Sequence, residues 1–226
     1  MGLPLVLLPG SLCDERVWRS VISSLPEGQE VLTPALGHAQ CWDQEIEALL
    51  SRLPLRFDLA GFSLGGIAAL ALARKAPERL GKLLLVASTS RDDPPAAQER
   101  RSALLQQAYE NGSPALLAMG QVAEPDLSQL SLSSRALLQQ MAREMPLERF
   151  ACQTMLACTR SDSRSWLGFA TMRVRVIYGD ADPFCPVDRQ QEILDLVPFA
   201  EKRVIAGGGH WLPLTHPELL AACLVA

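Results

Sequence analysis

Short apolar runs alternate with amphipathic helical patterns along most of this chain. Uninterrupted apolar runs are typical of buried strands, whereas apolar residues three or four positions apart are typical of helices. These patterns predict strands near residues 3–8, 31–34, 56–60, 82–87, 174–178 and 201–205. They predict helices near residues 14–24, 42–52, 64–75, 186–197 and 212–225. The regular alternation predicts an α/β fold with a doubly wound, mainly parallel sheet of about six strands.

The alternation stops after the fourth predicted strand. Pro94 and Pro95 open a segment in which apolar residues keep helical spacing and the strand pattern ends. We therefore predict one α/β core, formed by residues 1–90 and 171–226, with a helical insertion over residues 91–170.

A serine flanked by glycines joins the third predicted strand to the helix that follows. The sequence there reads Gly61-Phe62-Ser63-Leu64-Gly65. Side chains at the two glycine positions would collide where strand and helix pass closely, and the sharp turn presents the serine hydroxyl in a cleft. The next backbone N–H, that of Leu64, points into the same cleft and can bind an oxyanion. The pattern is typical of a nucleophile elbow, although a plain turn opening a helix gives the same five letters.

Two later strand ends carry an acid and a base. The fifth predicted strand runs into a turn that holds Asp180 and Asp182, and the sixth is followed by three glycines and His210. His38 lies in a loop and His216 precedes a proline at a helix start, so His210 is the better base. The order serine, acid, histidine along the chain predicts a catalytic triad.

Four segments together support a family resemblance. They are Leu5-Val-Leu-Leu-Pro-Gly-Ser-Leu-Cys-Asp14, the elbow around Ser63, Gly179-Asp-Ala-Asp182, and Gly209-His210 followed by Pro217-Glu218. On these motifs the chain resembles a member of the α/β-hydrolase superfamily, in its branch of small serine esterases with carrier-protein methyl esterases, enol-lactonases and carbon–carbon bond hydrolases. The resemblance implies that the insertion is a helical cap. It also implies a sheet without the family's N-terminal hairpin, because the elbow follows the third strand and not the fifth.

The resemblance also assigns roles. Ser63 is the implied nucleophile and His210 the implied base. Family spacing puts the acid three residues after the strand-ending glycine, which favours Asp182 and leaves Asp180 as the alternative.

The second oxyanion donor is expected from the loop after the first strand. Pro9-Gly10-Ser11-Leu12 stands there in place of the family's usual His-Gly start. The N–H of Ser11 is the matching donor, and Leu12 remains the alternative because Pro9 departs from the pattern.

Several apolar residues flank these segments or lie on the insertion. They are candidates for the wall of a substrate pocket and, with equal weight, for core packing: Leu12, Cys13, Phe62, Phe184, Trp211, Met141 and Met145.

The composition narrows the classes of function. A chain of 226 residues with 48% hydrophobic and 20% charged residues can bury one large core. Its net charge of −4 comes with no basic stripe, so we expect no nucleic acid partner. No apolar run is long enough to span a membrane and the N-terminus lacks the basic start of a signal peptide, so we expect a cytoplasmic protein. The six cysteines form no Cys-x-x-Cys pair, so we expect reduced thiols and no metal.

The motifs favour one reaction class. A serine at the elbow argues against a haloalkane dehalogenase, and Ile67 stands close to where the related lyases carry an arginine. We expect hydrolysis of an ester, thioester or lactone of a mostly apolar small molecule, including a carrier- or CoA-linked one, through an acyl-enzyme on Ser63 and without a cofactor. Carbon–carbon bond hydrolysis or lyase chemistry is the alternative, and a non-catalytic receptor or scaffold is the third. The oligomeric state is left open.

Overall fold

The centre of the protein is a parallel β-sheet. A computed structural model describes residues 2–225, and within them six strands pair in the order β2-β1-β3-β4-β5-β6, each parallel to its neighbours. The strands are β1 (Leu5–Leu8), β2 (Val31–Leu32), β3 (Phe57–Phe62), β4 (Leu80–Val86), β5 (Arg173–Gly179) and β6 (Glu201–Ile205). The predicted α/β class and parallel sheet are confirmed.

Helices surround the sheet and fill the interval between β4 and β5. They are α1 (Arg19–Ser23), α2 (Trp42–Leu50), α3 (Leu64–Lys75), α4 (Pro95–Glu110), α5 (Asp126–Gln129), α6 (Leu132–Glu144), α7 (Leu147–Cys158), α8 (Arg164–Leu167), α9 (Val187–Leu196), α10 (Leu212–Thr215) and α11 (Pro217–Val225). The predicted helix over 212–225 is divided in two, because a residue that precedes a proline, here His216, is kept out of the helical conformation. None of the helices in residues 2–225 has the length and apolar character needed to cross a membrane.

The two faces of the sheet bury separate apolar clusters. Side chains alternate along each strand, so Val6 and Leu8 of β1 face one cluster while Leu5 and Leu7 face the other. Helices α2, α3 and α9 cover the first face, and α1 and α11 cover the second. This two-sided cover is the doubly wound arrangement, in which the carboxyl ends of the strands form one open edge for a site.

The helical insertion consists of α4 to α8 and packs over that edge. Its residues contribute to the second face, and a third apolar cluster joins α4, α6 and α7 to Leu12 in the loop after β1. Pro146 separates α6 from α7. The insertion itself is confirmed, and its limits at 91 and 170 as a separate unit stay a prediction.

The turn between β3 and α3 leaves no room for a side chain at its glycines. A Cβ atom at Gly61 would overlap the Gly65 carbonyl oxygen, because the two atoms would be much closer than van der Waals contact. A Cβ atom at Gly65 would meet the Leu8 carbonyl oxygen of β1 in the same way. The backbone cannot move aside there without separating β1 from β3, because these strands pair through Leu8 and Gly61.

We therefore expect Gly65→Ala to lower the free energy of unfolding by about 3 kcal/mol or more, since overpacking against backbone cannot relax by rotation of a side chain. Gly120→Ala is the matched control, because a Cβ atom there meets nothing within 4 Å. Urea unfolding of both variants measures the difference. Equal stabilities of the two variants would contradict this account of the turn.

Candidate active site

Ser63 lies at the top of β3 in a strained backbone conformation. Its φ is 53° and its ψ is −114°, in a region that non-glycine residues rarely adopt. The backbone on both sides is fixed: the Ser63 N–H donates to the Val86 carbonyl at 3.0 Å, and Ser88 Oγ donates to the Ser63 carbonyl at 2.9 Å. Strain of this kind persists where the surrounding structure holds it, and here it presents the hydroxyl at the open edge of the sheet.

The side chains of Ser63, His210 and Asp182 form one hydrogen-bonded row. Ser63 Oγ lies 3.0 Å from His210 Nε2, and His210 Nδ1 lies 2.8 Å from Asp182 Oδ2. The three residues come from the ends of β3, β6 and β5, as the sequence predicts. His210 is 6% exposed, and its imidazole is flanked by the rings of Phe62 and Phe184, with centroids 5.2 and 5.3 Å away.

Asp182 is buried and yet remains acidic. Burial by itself would raise the pKa of its carboxyl, but the facing charge and hydrogen bond of His210 and two backbone donors lower it below the ordinary value. These donors are the N–H groups of Phe184 and Cys185, at 2.8 and 2.9 Å from Oδ1. The carboxylate is therefore both ionised and fixed in orientation beside the imidazole.

Asp180, the alternative acid, is occupied elsewhere. Its Oδ1 accepts a hydrogen bond from the Gly207 N–H at 2.7 Å, and its side chain is exposed. This hydrogen bond links the turn after β5 to the loop after β6. Of the two aspartates, only Asp182 contacts the imidazole.

A second buried carboxylate, Asp126, escaped the sequence reasoning. It begins α5 in the insertion, and its two oxygens accept the backbone N–H groups of His210 at 2.6 Å and Trp211 at 3.1 Å. Burial raises the pKa of Asp126 in spite of these two donors. The carboxylate lies so close that a Cβ atom at Gly209 would collide with it. Asp126 therefore holds the histidine loop by its backbone.

The N–H groups expected to bind an oxyanion differ in availability. Leu12, whose φ is 57°, donates its N–H to Gln153 Oε1 at 3.0 Å. Gln153 is a buried residue of α7, and its Nε2 donates to the Leu36 carbonyl at 3.2 Å. The N–H groups of Ser11 and Leu64 have no partner within residues 2–225. The geometry thus favours Ser11 over Leu12, because Gln153 already accepts the Leu12 N–H. The sequence around Leu12 does not show this, since Gln153 is 141 positions away in the chain.

A cavity of about 480 Å³ opens above the serine and the histidine. Phe62, Phe184 and Trp211 line it, together with Ser11 and Ile67. Four other expected wall residues pack instead into apolar clusters, with Cys13 and Met141 in the cluster of the second sheet face and Leu12 and Met145 in the third cluster. These contacts favour core packing, the alternative that the sequence left open, for these four residues.

One trio of potential metal ligands lies among the described residues. Ligand atoms of Asp182, Cys185 and His210 lie within 4.8 Å of one another. Burial, and then the neighbouring Asp182, raise the pKa of the Cys185 thiol, and both imidazole nitrogens already face Ser63 and Asp182. Metal binding would have to ionise that thiol and break the row, so the hydrogen-bonded row accounts for the cluster better.

Comparison with known proteins agrees with this geometry. The model of the Alpha/beta hydrolase family matches residues 5–223. A pimeloyl-(acyl-carrier protein) methyl ester esterase from Aromatoleum aromaticum is 30% identical over 95% of this chain and 93% of that protein. One from Nitrosomonas europaea is 40% identical, over 39% of this chain and only 38% of that protein. Among solved structures, a malate-bound thermophilic esterase from Thermogutta terrifontis has a TM-score of 0.85 at 25% identity, covering 99% of this chain and 88% of that one.

We expect Asp126→Asn to lower the free energy of unfolding by about 1–3 kcal/mol, because an amide nitrogen then faces a buried backbone N–H in place of an acceptor. Asp92→Asn is the control, since Asp92 is exposed and its side chain has no hydrogen bond or ion pair in the described structure. Urea unfolding measures both. A loss no greater than that of the control would show that Asp126 does not anchor the loop.

Proposed function

The chain belongs to the alpha/beta hydrolase family, and we propose that it is a serine hydrolase that cleaves carboxylic esters. The observation that carries this proposal is the row from Ser63 through His210 to Asp182 at the floor of a cavity. A hydroxyl within hydrogen-bond reach of an imidazole, which is itself oriented by a buried carboxylate, is the arrangement that activates a serine.

The distances are suited to acyl transfer in two steps. Ser63 Oγ attacks the ester carbonyl while His210 Nε2 takes the hydroxyl proton, and the negative oxygen of the tetrahedral intermediate is bound by the N–H groups of Leu64 and Ser11. The intermediate collapses, the alcohol leaves with the proton from His210, and an acyl-enzyme remains. A water molecule activated by His210 then hydrolyses the acyl-enzyme. Asp182 keeps the imidazole in the tautomer that presents Nε2 as the acceptor.

The relatives support a narrower proposal for the bond that is cleaved and for the carrier of the acyl group. Two of them are named as esterases of a methyl ester carried by acyl-carrier protein. We therefore favour an ester over a thioester or lactone as the bond that is cleaved. The proposed substrate is an acyl group linked to a carrier, and the proposed location is the cytoplasm. Ile67 in the cavity wall argues against lyase chemistry of the type that uses an arginine near the elbow.

We expect Ser63→Ala and His210→Ala each to lower ester hydrolysis by about 10⁴-fold or more, and the double variant to be no worse, because the two residues act as one unit. Hydrolysis of p-nitrophenyl butyrate and labelling by a fluorophosphonate probe measure the loss. A Ser63→Ala variant with more than a tenth of the original turnover would overturn the proposal, as would a native protein that the probe does not label.

The two aspartates after β5 give a matched pair. We expect Asp182→Asn to lower kcat by roughly 10⁴-fold, because the amide cannot stabilise the imidazolium or hold its tautomer. Asp180→Asn is expected to cost about 1 kcal/mol of stability through its hydrogen bond to Gly207 and to leave kcat nearly unchanged. Steady-state kinetics of the two variants side by side test this, and the reverse order would move the acid to Asp180.

A further inference from the structure

The cavity above Ser63 has a cationic wall that ester hydrolysis alone does not explain. Arg100 and Arg101 of α4, Arg160 after α7 and Arg189 of α9 all line it. One carboxylate, Asp93, lines it with them. Four guanidinium groups around one small cavity repel one another unless anions offset their charge.

Asp93 offsets only part of this charge. Its side chain is buried and lies 2.6 Å from Arg160 Nη1 and 3.0 Å from Arg101 Nε. Four of the five N–H groups of Arg160 are used, since it also donates to the carbonyl oxygens of Arg91, Asp92 and Ala157. Arg101 uses only its Nε, and its two terminal nitrogens make no hydrogen bond in the part of the chain that the structure describes.

Arg100 and Arg189 have no anionic partner at all within residues 2–225. Arginines just outside the cavity differ in this respect, since Arg91 pairs with Asp188 and Glu192, and Arg164 pairs with Asp162 and Glu192. Carboxylates are thus available on the neighbouring surface but do not reach the cavity wall. Three arginines that line the cavity, the exposed Arg100 and the half-buried Arg101 and Arg189, therefore keep donors that no group of the described residues accepts.

Resting on the proposed ester hydrolysis, we propose that Arg100, Arg101 and Arg189 form an anion subsite, and that the substrate carries a carboxylate or phosphate group besides its scissile ester. The guanidinium fork donates two parallel hydrogen bonds to either group, which a hydroxyl or a methyl end cannot accept. The cavity joins this subsite to Ser63, so the anion fixes which carbonyl meets the nucleophile. The substrate is then less apolar than the sequence led us to expect.

Two pairs of substrates test the proposal and separate the two anions. In the first pair, monomethyl adipate is compared with the methyl ester of the same acid whose far end is a primary amide, which has the same shape without the charge. In the second pair, methyl 6-(phosphonooxy)hexanoate is compared with methyl 6-hydroxyhexanoate, which has the same scissile ester without the phosphate. We expect kcat/KM to favour the anionic member of at least one pair by about tenfold or more. The pair that responds identifies the anion as a carboxylate or a phosphate.

Arg189→Gln and Arg100→Gln are the variants of choice, because neither side chain makes a hydrogen bond or ion pair with another described residue. Each is expected to reduce the preference for the anionic member severalfold or more. Arg56→Gln is the matched control: Arg56 is exposed, has no ion pair in the described structure, and precedes β3 at the opposite edge of the sheet. It is expected to leave the preference unchanged.

The outcomes separate this proposal from the proposed function. Hydrolysis that depends on Ser63 but favours neither anionic substrate would overturn the subsite and leave the esterase in place. A preference that survives both arginine variants, or that falls equally in the Arg56 variant, would also overturn the subsite. Hydrolysis that persists in Ser63→Ala would overturn the proposed function instead.

Discussion

The close approach of β1, β3 and α3 at the turn around Ser63 is the constraint on which the site depends. Gly61 and Gly65 let backbone pass within contact of backbone, and this forces the serine between them into a positive φ. Such a conformation costs on the order of 1–3 kcal/mol. The pairing of β3 with both neighbours and the hydrogen bond from Ser88 offset that cost. The same turn presents the serine hydroxyl at the cavity and places the Leu64 N–H, which has no partner within the described residues, next to it, so a single packing contact positions the hydroxyl and the proposed oxyanion donor.

Side chains of the helical insertion hold two loops of the site that the turn around Ser63 does not reach. The histidine follows β6 through three glycines, and the loop after β1 contains Gly10, so glycine weakens the hold that each loop has on its own shape. Asp126 from α5 accepts the N–H groups of the histidine loop, and Gln153 from α7 accepts the N–H of Leu12. Both side chains are buried, so an unmade hydrogen bond there would be costly. The insertion thus fixes the backbone of the histidine loop and of the loop after β1, in addition to lining the cavity.

The contrast between local features of the core and long-range contacts from the insertion explains what the sequence could and could not predict. The strands, the elbow and the order of Ser63, Asp182 and His210 follow from local periodicity, glycine positions and spacing, and all were foreseen. Asp126 and Gln153 act on residues 84 and 141 positions away in the chain, and no local pattern links the partners. Met141 of α6 and Met145, which follows that helix, pack into apolar clusters. Helical spacing shows that a side chain is buried, but it does not show whether a cavity or a core buries it.

The two carboxylates near His210 divide two tasks between them. Asp182 contacts the ring and has a lowered pKa, so a negative charge faces the imidazolium as it forms. Asp126 contacts only backbone N–H groups, and burial raises its pKa. Both oxygens of Asp126 accept backbone N–H groups of the histidine loop, so this carboxylate is oriented by the loop and not by the ring. Of the two, Asp182 is therefore the carboxylate that orients the imidazole, while Asp126 holds in place the backbone that carries it.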